Sequence, residues 1–167
     1  MYFPILRGRQ FELLALRECV GKNILSNRII PILEPVKASS TYTKTVDSFI
    51  KASKSIAVIC NPQVGSWDKD WEKESNAKVC ERASEQLKDN HVIFSFYVTS
   101  DLEACLDFAA QNGASIDSLL LLCNNPEYVD NYEEVIGDGI PLYNVIPDKG
   151  DFRRRIRPNR VMCEDHF

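Results

Sequence analysis

Short apolar runs alternate with amphipathic stretches along almost the whole chain. Residues 2–6 read as an extended strand with Pro4 at its edge or start. From 10 to 22, Phe11, Leu14 and Cys19, and likewise Leu13, Leu16 and Val20, recur near the helical period, while Glu12, Arg17 and Glu18 fall off that face. Gly21 and Asn23 suit the end of such a helix. Residues 28–36 form a second strand. Ser39, Ser40 and Thr41 then supply caps for a helix over 43–53, with Val46, Phe49 and Ile50 on one face. The run 55–60 is almost continuously apolar, as in parallel strands covered on both faces. A polar, Trp-bearing loop over 63–71 precedes a helix of about four turns over 73–88, with Ala77, Cys80 and Leu87 turned inward.

The second half keeps the rhythm. Strands are predicted over 91–99, 118–123 and 140–146. Helices fall over 102–112, closed by Gly113, and over 127–136, ended by the turn Gly137-Asp138-Gly139. Six strands alternating with helices predict an α/β fold of mostly parallel strands joined by right-handed crossovers. A partial TIM-barrel-like arrangement fits, and an open doubly wound sheet is the alternative. The predicted organisation is a βα-repeat domain over 1–147 and an Arg-rich tail over 148–167. No clear apolar helix or strand reads out of that tail, and eight barrel units of this size need about 250 residues. The tail is therefore expected to be the start of further barrel units or a terminal helix.

With 167 residues and ordinary composition, 44% apolar and 26% charged, the chain suits one domain with a real core. No run approaches the roughly 20 apolar residues of a spanning helix, and no basic leader precedes an apolar stretch, so the expected location is the cytoplasm. Charge is uneven. Between Asp148 and Arg160 six basic residues face two acidic ones, a net of +4 in a chain of net −4. The remainder is therefore acidic, which argues against a broad nucleic-acid-binding face. The Arg run 153–157 reads as a phosphate contact, the exposed face of a terminal helix, or a segment meeting further chain. The last two together are favoured. The six cysteines stand at least 18 residues apart, with no metal or redox spacing, and read as reduced thiols. Neither of the two histidines, His91 and His166, is placed to activate a serine. No metal site and no cofactor is implied.

The opening stretch carries a resemblance. Tyr2, Pro4, Leu6, Arg7, Arg9, Gln10, Glu12, Ala15 and Leu16, followed by Pro31, Ile32, Leu33 and Glu34, resemble the pattern of the phage-type Beta protein family and its bacterial relatives. The resemblance implies a TIM-barrel-like fold, members of roughly twice this length, and an association with phages and mobile bacterial loci. Defence, counter-defence or toxin neutralisation would then be the setting.

Candidate chemistry follows from position, because parallel α/β folds bind ligands at the carboxyl ends of strands. That rule selects Arg7 and Arg9 after the first strand, Glu34 and Lys37 after the second, Asn61 after the third, and Asp148 after the sixth. Asp101, Asn124, Asn125 and Lys149 hold comparable places. The cations could hold an anionic group, and Glu34 is the one weak candidate for a general base. An ion pair of Glu34 with Arg7 or Arg9 is the plainer expectation. Trp67 and Trp71 suit either a recognition surface or packing of their loop, and Gly8 a close backbone approach. Two functions follow: a non-catalytic protein-binding role, or an enzyme acting on a phosphorylated or anionic small molecule. Exposed sheet edges favour a protein partner or a homo-oligomer.

Overall fold

The computed structural model describes residues 1–163. Strand order is chain order, β1 to β7, and the described pairings are parallel. This is the order of a βα barrel repeat; a doubly wound sheet reverses direction partway. The chain divides into two compact units, Met1–Ile93 and Phe94–Phe167.

In the first unit, β1 (Ile5–Arg7), β2 (Ile32–Glu34) and β3 (Ile56–Ile59) pair in register, Ile5 beside Ile32 and Ile32 beside Ala57. β2 and β3 are buried at every position, as their apolar runs required. Helix α1 (Gln10–Gly21) buries Leu13, Leu16 and Val20, one stripe at i, i+3 and i+7. It closes through Asn23, which holds φ +52° and follows two backbone bonds back to Val20 and Cys19. Helix α2 (Ser40–Lys51) starts at Ser39, whose hydroxyl accepts from the Tyr42 N–H at 3.2 Å. It packs on α1, and the Thr45 hydroxyl is shared between the Thr41 carbonyl of its own helix at 2.8 Å and the Leu13 carbonyl of α1 at 3.1 Å. Phe49 and Val46 sit fully enclosed between these helices and Leu33, Ile56 and Val58 of the sheet.

The helix expected over 73–88 is shorter. A five-residue helix α3 (Trp67–Trp71) and a 3₁₀ turn (Glu74–Asn76) come first, and α4 occupies Ala77–Gln86. The break has a cause. Asp70 takes the Lys73 ammonium, and the Asn76 amide donates to the Asp70 carbonyl, which turns the chain before α4 can begin. The inward face of α4 is Cys80, Ala83 and Gln86, and Ala77 is exposed. Gln86 is buried because its amide donates to the Thr43 carbonyl and to Asp47, both at 2.7 Å.

β4 (Val92–Tyr97) begins in the last two residues of the first unit and continues into the second, and with β5 (Leu120–Leu122) and β6 (Tyr143–Pro147) it follows the predicted strands. Phe108 of α5 (Leu102–Gln111) stands edge-on to Phe94 and Phe96, with ring centroids 6.4 and 6.5 Å apart. Gly113, at φ +83°, closes α5 as its position required. Helix α6 (Val129–Ile136) ends at Gly137, φ +53°. The expectation of six strands is corrected to seven. Helix α7 (Gly150–Arg155) leads into β7 (Arg160–Cys163), which pairs with β6 from Asn144 beside Arg160 to Pro147 beside Cys163. The anchors are Phe152 and Ile156, both buried, and Asn144, which accepts from the Tyr132 hydroxyl and donates to the Pro158 carbonyl, each at 2.9 Å. β7 itself is mostly exposed, so backbone pairing rather than an apolar pattern holds it.

Candidate functional site

The carboxyl ends of β1 and β2 gather four of the expected residues. Arg7 lies beside Glu34 in the strand register. Gly8 follows, and its N–H donates to the Glu34 carbonyl at 2.7 Å. A Cβ there would stand 3.2 Å from that oxygen and 3.3 Å from the Pro35 Cα, so glycine suits this close crossing. Arg9 is the residue before α1, and the Glu12 carboxylate accepts from its backbone N–H at 3.2 Å. Lys37 is exposed on the connection to α2.

Glu34 is only 3% exposed. The ion pair expected with Arg7 or Arg9 does not form. Instead Glu34 Oε1 accepts the backbone N–H of Gln63 at 3.0 Å. A fixed backbone donor costs no side-chain entropy, whereas a long arginine must be immobilised to serve the same carboxylate. Arg7, Arg9 and Lys37 are therefore exposed cations without an ion-pair partner among the described residues. Asn61 is half-buried and already engaged.

The loop that brings Gln63 to Glu34 is built, not merely polar. Gly65 holds φ +84° against the end of the β2 connection, and the next N–H, of Ser66, donates to the Val36 carbonyl at 2.7 Å. Asp70 then ties the loop down. Its carboxylate accepts from the Ala38 N–H at 3.0 Å, the Ser66 hydroxyl at 3.1 Å and the Lys73 ammonium at 2.7 Å. Trp67 is buried edge-on against Tyr42 at 4.8 Å, which settles its role as packing, whereas Trp71 is 42% exposed. Sequence reasoning passed over Gly65 and Asp70. The Ser-Trp-Asp-Lys-Asp spacing, with a hydroxyl four residues before a carboxylate and a glycine just ahead, is the signal they leave.

Lys73 first and the Ala38 N–H second hold the Asp70 carboxyl below its ordinary value of 3.8. A depressed folded-state value stabilises the fold above the unfolded value and loses that contribution as the pH falls through the folded one. The wild-type melting temperature is thus expected to fall as the pH drops below the ordinary aspartate value. Asp70→Asn should melt lower at neutral pH and flatten that acid dependence, as thermal scans across the acid range will read.

In the second unit Asp148 pairs with Arg153. The rest of the Arg run is likewise engaged: Arg154 with Asp151, Arg155 with Asp130 and Glu133, and Arg157 and Arg160 with the Arg154 and Arg153 carbonyls. Arg153, Arg154 and Arg155 thus form an exposed face of α7 paired with carboxylates, while Arg157 and Arg160 bond carbonyl groups alone. Asp101 is exposed, and Asn125 caps a 3₁₀ turn through the Glu127 N–H at 3.0 Å. His91 meets Asp89 at 3.0 Å, and His166 lies outside the described residues. The six cysteines form no disulfide. Burial pushes the Cys123 thiol up to about 12 and raises Cys80 as well, so neither is an activated nucleophile. No three of the described His, Cys, Asp and Glu side chains gather into a metal-binding group. No described helix is long and apolar enough to cross a membrane.

These features define an α/β protein of parallel βα units with a cationic rim at the strand ends of its first unit. Comparison with family models, curated proteins and solved structures gives no match.

Proposed function

We propose that the chain is a non-catalytic, cytoplasmic protein-binding module that takes up an extended segment of a partner along β1. The observation that carries this reading is the edge itself. Tyr2, Pro4 and Gly8 direct their backbone bonds toward the β2 side. Backbone groups alternate along a parallel strand, so Ile5 directs its N–H and carbonyl outward. Ile5 is 40% exposed and Tyr2 64%. An open edge with apolar side chains beside it is what strand addition uses. The resemblance of the opening residues to the phage-type Beta protein family supports a setting in a phage or mobile bacterial element, in defence, counter-defence or toxin neutralisation.

Capture of partners on the tagged chain, read by mass spectrometry against Ile5→Pro, tests it. Proline removes the outward N–H and leaves the β2 ladder intact. The variant should fold normally and lose partner affinity by roughly tenfold or more, the worth of one stranded backbone group. A partner kept equally by Ile5→Pro, or none captured by the wild type, refutes the reading.

A second reading has its own support. Arg7, Arg9 and Lys37 carry exposed charge that no described carboxylate neutralises, which suits a phosphorylated or anionic small molecule. An enzyme of that kind would lose turnover on Glu34→Gln, whereas a binding module keeps its partner.

A further inference from the structure

A cavity of about 170 Å³ opens at the other end of the strands of the first unit, between the α1–β2 and α2–β3 connections. Its polar lining is Ser26, Asn27, Ser53, Lys54 and Ser55. No carboxylate is among the lining residues. The Lys54 ammonium is held by two neutral acceptors, the Leu25 carbonyl at 2.7 Å and Asn27 Oδ1 at 2.9 Å. That leaves a half-buried cation, positioned by its neighbours, with a third N–H and no counter-charge. Partly desolvated charge of this kind is stabilised by an anion.

Hydroxyl donors stand around it. Ser26 Oγ accepts the Arg28 N–H at 3.2 Å, so its own proton is free to donate outward. Ser53 and Ser55 make no side-chain hydrogen bond in the described structure. Ser53 is also strained. It holds φ +52° as the residue that closes α2, where its N–H and that of Lys54 return to the Ile50 and Phe49 carbonyls. Glycine is the residue that position ordinarily takes. A serine there stands among the residues that line the cavity, at a cost in backbone strain.

We propose that this cavity binds a small oxyanion of the phosphate class, with Lys54 supplying the charge and Ser26, Ser53 and Ser55 the donors. The ligand is either free phosphate or the phosphate group of a small molecule. The site is separate from the β1 edge and stands or falls without it.

The test is a titration of the full-length, ¹⁵N-labelled chain with inorganic phosphate, glycerol phosphate and, for ionic strength, sodium chloride. Saturable amide shifts confined to residues 26–28 and 53–56 are expected with the phosphates and not with chloride. Tighter binding of inorganic phosphate identifies the free ion, and tighter binding of glycerol phosphate identifies a phosphate ester. Ser53→Gly should raise the melting temperature by relieving the strain while weakening phosphate binding by roughly tenfold, the worth of one hydrogen bond to a charged group. Ser55→Ala should weaken it similarly with the fold unchanged. A purely structural Lys54 would show no saturable response. That outcome, an equal response to chloride, or unaltered binding in both serine variants overturns the proposal.

Discussion

Gly65→Ala is expected to remove about 3–5 kcal/mol of folding stability, more than a positive φ alone explains. Gly65 holds φ +84°, where a Cβ costs about 1–2 kcal/mol. The added Cβ would also lie 2.0 Å from the Val36 carbonyl oxygen and 2.7 Å from the Val36 Cα. Those are backbone atoms, so no side chain can swing away, and the loop must lift from the β2 connection. Lifting it breaks the Ser66 bond to Val36 and draws Gln63 from Glu34, which is left buried without its donor. Gly113→Ala is the control. Its φ is +83°, but a Cβ there meets nothing within 4 Å, so only the strain, about 1–2 kcal/mol, should be lost. Urea denaturation of both variants separates the clash from the strain. Equal losses would show that the loop yields freely.

Phe49→Ala should cost about 3–5 kcal/mol, through lost burial and the cavity left behind. Phe49 is fully enclosed in α2 among Leu13, Leu33, Ile56 and Val58. Close packing leaves those neighbours little room to collapse inward. Against a typical total of about 5–15 kcal/mol, this brings the fold near its limit. Phe11→Ala, at a ring that is 84% exposed, should move stability by under about 0.5 kcal/mol. Both rings are apolar positions on predicted helices, so the contrast in urea midpoints isolates burial from residue type.

Much of this architecture is legible in the residues. β2 and β3 are apolar runs because both faces are covered, and α1, α2 and α5 carry stripes that a helical period reveals. What escapes is whatever hydrogen bonding, rather than burial, determines. β7 is held by its ladder to β6 and by Phe152 and Ile156, and its own residues show no apolar pattern. The break before α4 depends on Asp70, whose carboxylate takes Lys73 and whose carbonyl takes Asn76, partners that no periodicity displays. Gln86 reads as a polar residue on an outer face, yet two acceptors on α2 draw it inward. The candidate site divides the same way. Position at strand ends selects Arg7, Arg9, Glu34 and Lys37. Nothing in their types says that Glu34 takes a backbone N–H from a loop 29 residues away while the three cations stay free. The Arg run is legible only in part, since Asp148 and Asp151 stand within a few residues of Arg153 and Arg154, whereas Arg155 reaches Asp130 and Glu133 on α6.

The central claim is that β1 offers an unfilled strand edge to a partner. Amide hydrogen exchange along residues 2–8, in the isolated chain and in the complex with its captured partner, tests it most directly. The Gly8 N–H, bonded to the Glu34 carbonyl at 2.7 Å, is the internal reference. In the isolated chain the Ile5 amide should exchange much faster than that of Gly8, and in the complex it should slow by about tenfold or more as a new ladder bond forms. An Ile5 amide already as protected as Gly8 in the isolated chain, or unchanged in the complex, would contradict it.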